Sequence, residues 1–311
     1  MSILVERPEA DYAAMSFEQL PLAPGFAMPT AHAMAWMSQL AYETRDEAKV
    51  RRIAQLWTLD QVEVLHEPAL STLPLANTHG VIARKDGHCI IAFAGTDPAD
   101  IMNWITDFYL GHLRSDIHQG FCDAAAAVWP QVGGEIRRSM DAGETLVVTG
   151  HSLGAAIALA TLDRAHQELS LDKAEVYVFG CPRVGRAPFR ARYNAAFGGQ
   201  TYRLVYGDDI GPTVPPSEFG FHHVGRLLTC QRGGRFQAAE LSPGVESDDP
   251  LADVGVFGGI RLRLLGLLDT ARSPSSRQDL LGRLSELLSP SLGDHLPDRY
   301  IAASAPPDAA D

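Results

Sequence analysis

The pentapeptide Gly150-His-Ser-Leu-Gly154 is the feature of this 311-residue chain that most restricts how it can fold. It follows Thr145-Leu-Val-Val-Thr149, a β-branched apolar run with the length of a strand. It precedes Ala155-Ala-Ile-Ala-Leu-Ala-Thr-Leu162, a run of strong helix formers. A strand, a sharp turn and a helix are the context in which a G-x-S-x-G pattern carries a nucleophilic serine. The flanks therefore predict Ser152 as a nucleophile on a strand-to-helix turn.

The residues around Ser152 each have a physical reason to be there. The strand and the helix nearly touch two positions before and two after the serine, where Gly150 and Gly154 have no Cβ to collide. The helix N-terminus favours negative charge, so the Leu153 N–H can point at a developing oxyanion. The alternative interpretation is a glycine-rich turn with an ordinary serine.

Strand-like and helix-like segments alternate along most of the chain. The predicted strands are 62–66, 80–84, 88–94, 145–149, 175–179 and 201–206, with Asp86-Gly87 as a hairpin turn between the second and the third. The predicted helices are 31–42, 47–56, one that includes 124–129 and ends near Pro130, and one from the pentapeptide to about Leu169. Such alternation predicts an α/β fold with a mostly parallel central sheet flanked by helices.

The pattern changes after Gly225. A second hairpin is predicted from 227–231 and 235–239, followed by an acidic, turn-rich stretch and two helical segments at 254–268 and 278–288. We interpret 226–290 as an insertion on a single domain that covers residues 1–302, and 303–311 as a disordered tail.

Composition restricts the partners and the location of the chain. Its net charge of −12 argues against nucleic-acid binding, and its 46% hydrophobic and 21% charged residues are typical of a globular protein. No apolar run reaches the length of a membrane span. The N-terminal residues lack a basic region followed by an apolar one, so we expect no signal peptide and a cytoplasmic location, with export of a mature form as the alternative. The four scattered cysteines indicate free thiols rather than disulfides.

A nucleophilic serine needs a base and an acid that orients the base. In α/β-hydrolases these follow the serine in the order acid, then histidine. Asp208 and Asp209 come directly after the strand 201–206, although paired aspartates also occur in ordinary turns. His222, His223 and His295 follow that acid, and His295 lies in a late loop that suits a catalytic base.

A second oxyanion donor is expected on a loop after an earlier strand. The strand 88–94 ends in Gly95-Thr-Asp97, where glycine permits close approach and Thr96 can offer its N–H. An ordinary turn after a strand is the alternative.

Seven further motifs around the pentapeptide together resemble the class 3, fungal-type lipase family of α/β-hydrolases. In chain order they are Phe93-Ala-Gly-Thr-Asp97, Asn103-Trp-Ile-Thr-Asp-Phe108, Ile117-His-Gln-Gly-Phe121, Phe179-Gly-Cys-Pro-Arg-Val-Gly185, Asp208-Asp-Ile-Gly-Pro-Thr-Val-Pro-Pro216, Phe221-His-His223 and Asp294-His295 with Tyr300. The similarity covers roughly 31–225 and 293–301. It departs from the family at Ala94, where arginine is usual.

The resemblance implies roles for individual residues. It implies Ser152 as nucleophile, Asp209 as acid, His295 as base, and Thr96 with Leu153 as oxyanion donors. It also implies a lid at about 97–116 whose apolar residues, Trp104, Ile105 and Phe108 among them, contact substrate. No metal or organic cofactor is implied, and we interpret the acidic run 246–253 as a solvated loop.

The expected reaction is hydrolysis of a carboxylic ester through an acyl-enzyme. A triacylglycerol lipase or carboxylesterase is the first hypothesis, a phospholipase A1 or another lipid acyl hydrolase the second, and a non-catalytic binding module the third. The expected partner is a lipid or ester substrate, with transient contact to a lipid interface. The oligomeric state is left open.

Overall fold

The computed structural model describes residues 5–15, 17, 24–65, 78–96, 116–215, 217–245 and 291–306. Several expectations lie outside these ranges. They are the predicted lid from 97 to 115 with Trp104, Ile105 and Phe108, the acidic run 246–253, and the predicted helices 254–268 and 278–288.

The described residues form a seven-stranded sheet whose strands lie side by side in chain order. The strands are β1 (Gln61–Leu65), β2 (Gly80–Lys85), β3 (His88–Phe93), β4 (Thr145–His151), β5 (Glu175–Phe179), β6 (Thr201–Tyr206) and β7 (Arg226–Cys230). The first three pair antiparallel, and β3 to β7 pair parallel. The predicted α/β fold with a mostly parallel sheet is therefore confirmed.

In the described part of the chain, six α-helices cover the two faces of the sheet. They are α1 (Met28–Leu40), α2 (Glu47–Leu56), α3 (Gln119–Ala142), α4 (Leu153–Leu169), α5 (Ala187–Phe197) and α6 (Pro297–Ser304). One apolar core lies between the sheet and α3, α4 and α5, and a second lies between the sheet and α1, α2 and α6. Because both faces of the sheet are covered, only the ends of its strands remain for a site.

Helix α3 continues through Pro130, so the prediction that it ends near this residue is wrong. Proline removes one backbone hydrogen bond, which leaves the carbonyl of Ala126 without its usual partner. Both Pro130 and Ala126 are exposed, whereas Val128 and Val132 on the opposite face are buried in the core. Continued burial of that face accounts for a helix of 24 residues.

The segment after Gly225 begins differently from its prediction. Residues 226–230 form β7, which pairs parallel with β6 as the last strand of the central sheet and not as the first arm of a hairpin. In place of the predicted second arm, residues 235–237 have no regular secondary structure and Ala238–Glu240 form a 3₁₀ helix. The Phe236 N–H donates to the carbonyl of Ala303 at 2.9 Å. The boundary expected at residue 226 therefore falls inside the central sheet. Similarly, α6 reaches Ser304, two residues into the expected tail.

Among the described helices, none is long and apolar enough to cross a membrane. All four cysteines lie in the described ranges and are free thiols. Cys89 and Cys181 are buried, whereas Cys122 and Cys230 are only partly buried.

The start of α3 makes the stability of the fold sensitive to acid. The ring Nδ1 of His118 accepts a hydrogen bond from the Gly120 N–H at 3.2 Å and caps the helix. Burial lowers the pKa of His118 to about 4, against a weaker opposing effect of Asp123. Since the unfolded chain binds this proton near pH 6.5, stability is lost as the pH falls from about 6.5 towards 4.

Wild type should lose unfolding free energy between pH 7 and pH 5. We expect His118→Asn to reduce that loss by about 2 kcal/mol. Asparagine keeps a capping acceptor but does not titrate. Urea unfolding of both proteins at the two pH values measures this difference. Equal losses in wild type and variant would show that His118 does not cause the acid sensitivity, since partly buried His32 and buried His151 also have lowered pKa values.

Candidate active site

Ser152 lies at the junction of β4 and α4 in a backbone conformation that is rare for a serine. Its φ is 58° and its ψ is −127°, and it is the N-cap of α4. A non-glycine residue in such a region carries strain of about 1–3 kcal/mol. Its N–H donates to the carbonyl of Phe179 at 2.9 Å, which ties the turn to the neighbouring strand. Strained backbone held by its surroundings is typical of functional sites.

The two glycines of the pentapeptide make this junction possible. A Cβ placed on Gly150 would lie 2.5 Å from the carbonyl carbon of Gly154. A Cβ placed on Gly154 would lie 2.6 Å from the carbonyl oxygen of Ala94. Neither approach tolerates a side chain, so Gly150 lets β4 and α4 meet, and Gly154 lets the start of α4 pack against the end of β3.

Ser152 belongs to a hydrogen-bonded chain of three side chains from distant parts of the sequence. Its Oγ lies 2.7 Å from Nε2 of His295, and Nδ1 of His295 lies 2.6 Å from Oδ1 of Asp209. All three residues are at most 3% exposed. With Nδ1–H donating to the carboxylate, Nε2 is free to accept the serine proton. The arrangement has the geometry of a nucleophile, a general base and an orienting acid.

The structure separates the alternatives that the sequence had left open. Asp209 is the aspartate next to His295, while the side chain of Asp208 is 72% exposed and pairs with Arg232. His223 places Nε2 2.9 Å from the carbonyl oxygen of Pro212, and His222 contacts Arg190. Of these histidines, His295 is therefore the one in contact with Ser152.

Two further donors hold the Asp209 carboxylate. The Gly211 N–H donates to Oδ1 at 2.7 Å, and the hydroxyl of Tyr300 donates to Oδ2. Burial, followed by the charge of Asp209, holds the pKa of Tyr300 well above its usual value, so its hydroxyl keeps its proton. With His295, these groups give the buried carboxylate three donors and fix its plane.

His151, the residue before the serine, holds the backbone of His295. Burial, with the neighbouring His295 as the second cause, keeps the pKa of His151 well below its usual range. The neutral ring donates from Nε2 to the carbonyl oxygen of His295 at 2.7 Å. Its Nδ1 then accepts from the hydroxyl of Tyr42, also at 2.7 Å. Hydrogen bonds thus link Tyr42, in the 3₁₀ turn Ala41–Glu43 that follows α1, through His151 to the His295 loop and fix the orientation of that loop.

The expected oxyanion donors flank Ser152 on two sides. Leu153 is the first residue of α4, where helical N–H groups have no partner within the helix. On the other side, a Cβ placed on Gly95 would lie 2.9 Å from the Ser152 Cβ. The backbone of Gly95 therefore lies against the serine, and half-buried Thr96 follows it directly. The donor roles of Thr96 and Leu153 stay predictions.

A small cavity lies beside this loop. Its volume is about 60 Å³, and its lining includes Tyr42, Ala94 and Gly95. Sites for drug-sized ligands measure roughly 300–1,000 Å³, so this cavity suits waters or a small polar group rather than an acyl chain. Within the described ranges, no three His, Cys, Asp or Glu side chains cluster in a way that could hold a metal ion.

Three residues that organise this site had no assigned role in the sequence. Tyr300 follows His295 by five residues and forms part of the C-terminal motif, so its position was a usable signal. Tyr42 and Arg232 reach the site only through tertiary contacts across at least 60 residues. No local pattern marks them.

The chain is similar in sequence to known lipases over part of its length. The family model described as "Lipase (class 3)" matches residues 90–219. A secreted mono- and diacylglycerol lipase of Fusarium solani is 35% identical over 168 residues, which cover 46% of this chain and 48% of that protein. A lipase of Rhizomucor miehei is 32% identical over 166 residues, which cover 50% of this chain and 45% of that protein. This chain thus spans just under half the length of these two relatives.

A solved structure shares the fold over a longer stretch. The mono- and diacylglycerol lipase of Aspergillus oryzae superposes with a TM-score of 0.55 at 20% identity, covering 76% of this chain and 92% of that structure. At this identity the likeness concerns the fold alone.

The expected cytoplasmic location is wrong. The Fusarium solani relative is named as a secreted enzyme, and this finding overturns the expectation.

Proposed function

We propose that the chain is a member of the class 3 lipase family, whose model matches residues 90–219, and that it hydrolyses carboxylic esters of lipids through Ser152. One observation carries the proposal. Ser152, His295 and Asp209 form a buried hydrogen-bonded chain at a strained strand-to-helix turn. This combination of strain, burial and proton-accepting geometry suits a reactive hydroxyl and has no evident use in a purely structural serine.

The reaction begins when Oγ of Ser152 forms a bond to the acyl carbon and its proton passes to Nε2 of His295. Asp209 keeps the imidazole oriented and stabilises its positive charge. The tetrahedral intermediate then collapses, the bond to the alcohol oxygen breaks, and that oxygen takes the proton from Nε2. Water attacks the resulting acyl-enzyme by the same route and releases the carboxylic acid.

The negative charge of each tetrahedral intermediate falls beside the N-terminus of α4. We assign its stabilisation to the N–H groups of Leu153 and Thr96. Preorganised donors of this kind account for about 10²–10³ in rate each, because they need no reorganisation when the charge develops. The dipole of α4 contributes in the same direction.

We also propose that the natural substrate is a lipid ester that the enzyme meets at a lipid–water interface. The Fusarium solani relative is named for mono- and diacylglycerols, and that name supports an acylglycerol in preference to a phospholipid.

The test compares wild-type hydrolysis of p-nitrophenyl esters of increasing chain length with that of emulsified mono-, di- and triacylglycerol and of phosphatidylcholine vesicles. We expect activity on the p-nitrophenyl esters and the acylglycerols, with a higher rate once the substrate exceeds its solubility. Faster hydrolysis of phosphatidylcholine would assign the site to a phospholipase instead. Equal activity in wild type and Ser152→Ala would overturn the serine mechanism.

A further inference from the structure

The loop that carries His295 is held by an ion pair outside the hydrogen-bonded chain just described. Asp294 precedes His295, and its side chain is only 6% exposed. Arg232, in the turn after β7, donates from Nε to Oδ1 of Asp294 at 2.9 Å and from a terminal nitrogen to Oδ2 at 2.7 Å. This two-point contact fixes both the distance and the plane of the carboxylate.

The same carboxylate also joins the loop that carries the acid. The backbone N–H of Asp208 donates to Oδ2 of Asp294 at 2.8 Å. Gly207 packs against this carboxylate with a φ of 55°, and a Cβ placed on Gly207 would lie 2.9 Å from Cγ of Asp294. Asp294 thus holds the His295 loop against the loop of Asp208 and Asp209, and Arg232 connects both loops to the turn after β7.

Asp294 also puts a second carboxylate on the residue directly before the base. A buried carboxylate that loses its partner is an uncompensated charge. With Arg232 present, the pair is close to neutral as seen from His295, so Asp209 remains the dominant negative charge. The charged and titratable groups around His295 in the described part of the chain are Asp209, His151, Tyr300, Tyr42, Asp208, Asp294 and Arg232.

We propose that Arg232 is a positioning residue for catalysis, which holds the His295 loop in register with Asp209 and cancels the charge of Asp294. This inference rests on the proposed ester hydrolysis. It assigns to one half-exposed arginine both a geometric and an electrostatic effect, and the two can be measured separately.

The test measures kcat and KM for p-nitrophenyl butyrate against pH, at low ionic strength, in wild type and single variants. For Arg232→Met we expect kcat to fall about tenfold with KM within about twofold, because a shift of the base by a fraction of an ångström impairs proton transfer. The acidic limb of the kcat/KM profile should move up by about half a pH unit or more, because the unpaired carboxylate favours protonated His295.

Asp294→Asn should shift the acidic limb of the kcat/KM profile in the opposite direction. It leaves the guanidinium without its carboxylate, so the acidic limb should move to lower pH. In the double variant Arg232→Met with Asp294→Asn, the limb should return towards wild type while kcat stays low. Arg232→Lys keeps the charge but loses the two-point contact, so it should preserve the limb and lower kcat.

The matched control is Arg51→Met. It removes the same charge from an exposed pair with Glu47 on α2, where the contact is 2.9 Å, and it should leave both readouts unchanged. Wild type is assayed first, and a lack of any hydrolysis there overturns the proposed function together with this inference. An active wild type whose acidic limb does not move in folded Arg232→Met overturns the inference alone. If Arg232→Met does not fold, Arg232→Lys and Asp294→Asn decide the inference by the same signs.

Discussion

Replacing Ser152 with alanine is expected to lower kcat for ester hydrolysis on the order of 10⁶-fold without unfolding the protein. The hydroxyl oxygen is the only non-hydrogen atom removed, and it lies 2.7 Å from Nε2 of His295. Without it, His295 has no nucleophile to activate, and the residual rate is due to the oxyanion donors and substrate binding. Initial rates with p-nitrophenyl butyrate, together with urea unfolding of both proteins, measure this loss.

Ser170 provides a matched control for that substitution. It is the C-cap of α4 and shares a positive φ with Ser152, 56° against 58°, but its ψ is 31° and it is exposed to solvent. Ser170→Ala should keep wild-type activity. Ser152→Gly should be as inactive as Ser152→Ala but more stable by about 1 kcal/mol or more, because glycine accepts a positive φ without strain. Retained activity in either Ser152 variant would contradict the assignment of the nucleophile.

The second large effect is expected at Asp209, where alanine should lower kcat about 10⁴-fold. His295 then loses the acceptor of its Nδ1–H at 2.6 Å, and with it both its fixed orientation and the charge that stabilises its protonated form. The donors from Tyr300 and Gly211 also lose their partner, so we expect lower stability. The same rate assay and unfolding measurement apply.

Asp208→Ala is the control one residue earlier. Its side chain is 72% exposed and pairs at 3.2 Å with Arg232 on the surface, so the loss should be less than about fivefold. If Asp209→Ala fails to fold, Asp209→Asn replaces it, and a loss of the same order is expected from the missing charge. A larger loss at Asp208 than at Asp209 would reverse the assignment of the acid.

Local sequence was sufficient for much of the fold. The strands Glu175–Phe179 and Thr201–Tyr206 and the helix Glu47–Leu56 have their predicted bounds. Their apolar periodicity matches the face that the sheet or the core buries, so local preference and tertiary packing agree. The turn at Ser152 was predictable for the same reason, since its glycines and its flanking strand and helix are adjacent in sequence.

The sequence was less informative wherever a long-range contact decides the structure. The run after Gly225 has the residues of a hairpin, but an open edge beside β6 gives β7 a parallel partner instead. Pro130 normally ends a helix, yet the buried stripe of α3 continues on both sides of it. The choice of Asp209 over Asp208 came from family resemblance, and its contact with His295 spans 86 residues. A local sequence pattern cannot reveal a contact between residues so far apart in the chain.

The most direct test of the central claim is to treat the wild-type protein with a p-nitrophenyl dialkyl phosphate and to map the modified residue by mass spectrometry. The hydrogen-bonded chain of Ser152, His295 and Asp209 predicts one p-nitrophenol released per protein molecule, one phosphoryl group on Ser152, and complete loss of ester hydrolysis. His295→Ala should react far more slowly. Modification of another residue with loss of activity, or undiminished hydrolysis by protein modified at Ser152, would contradict this account.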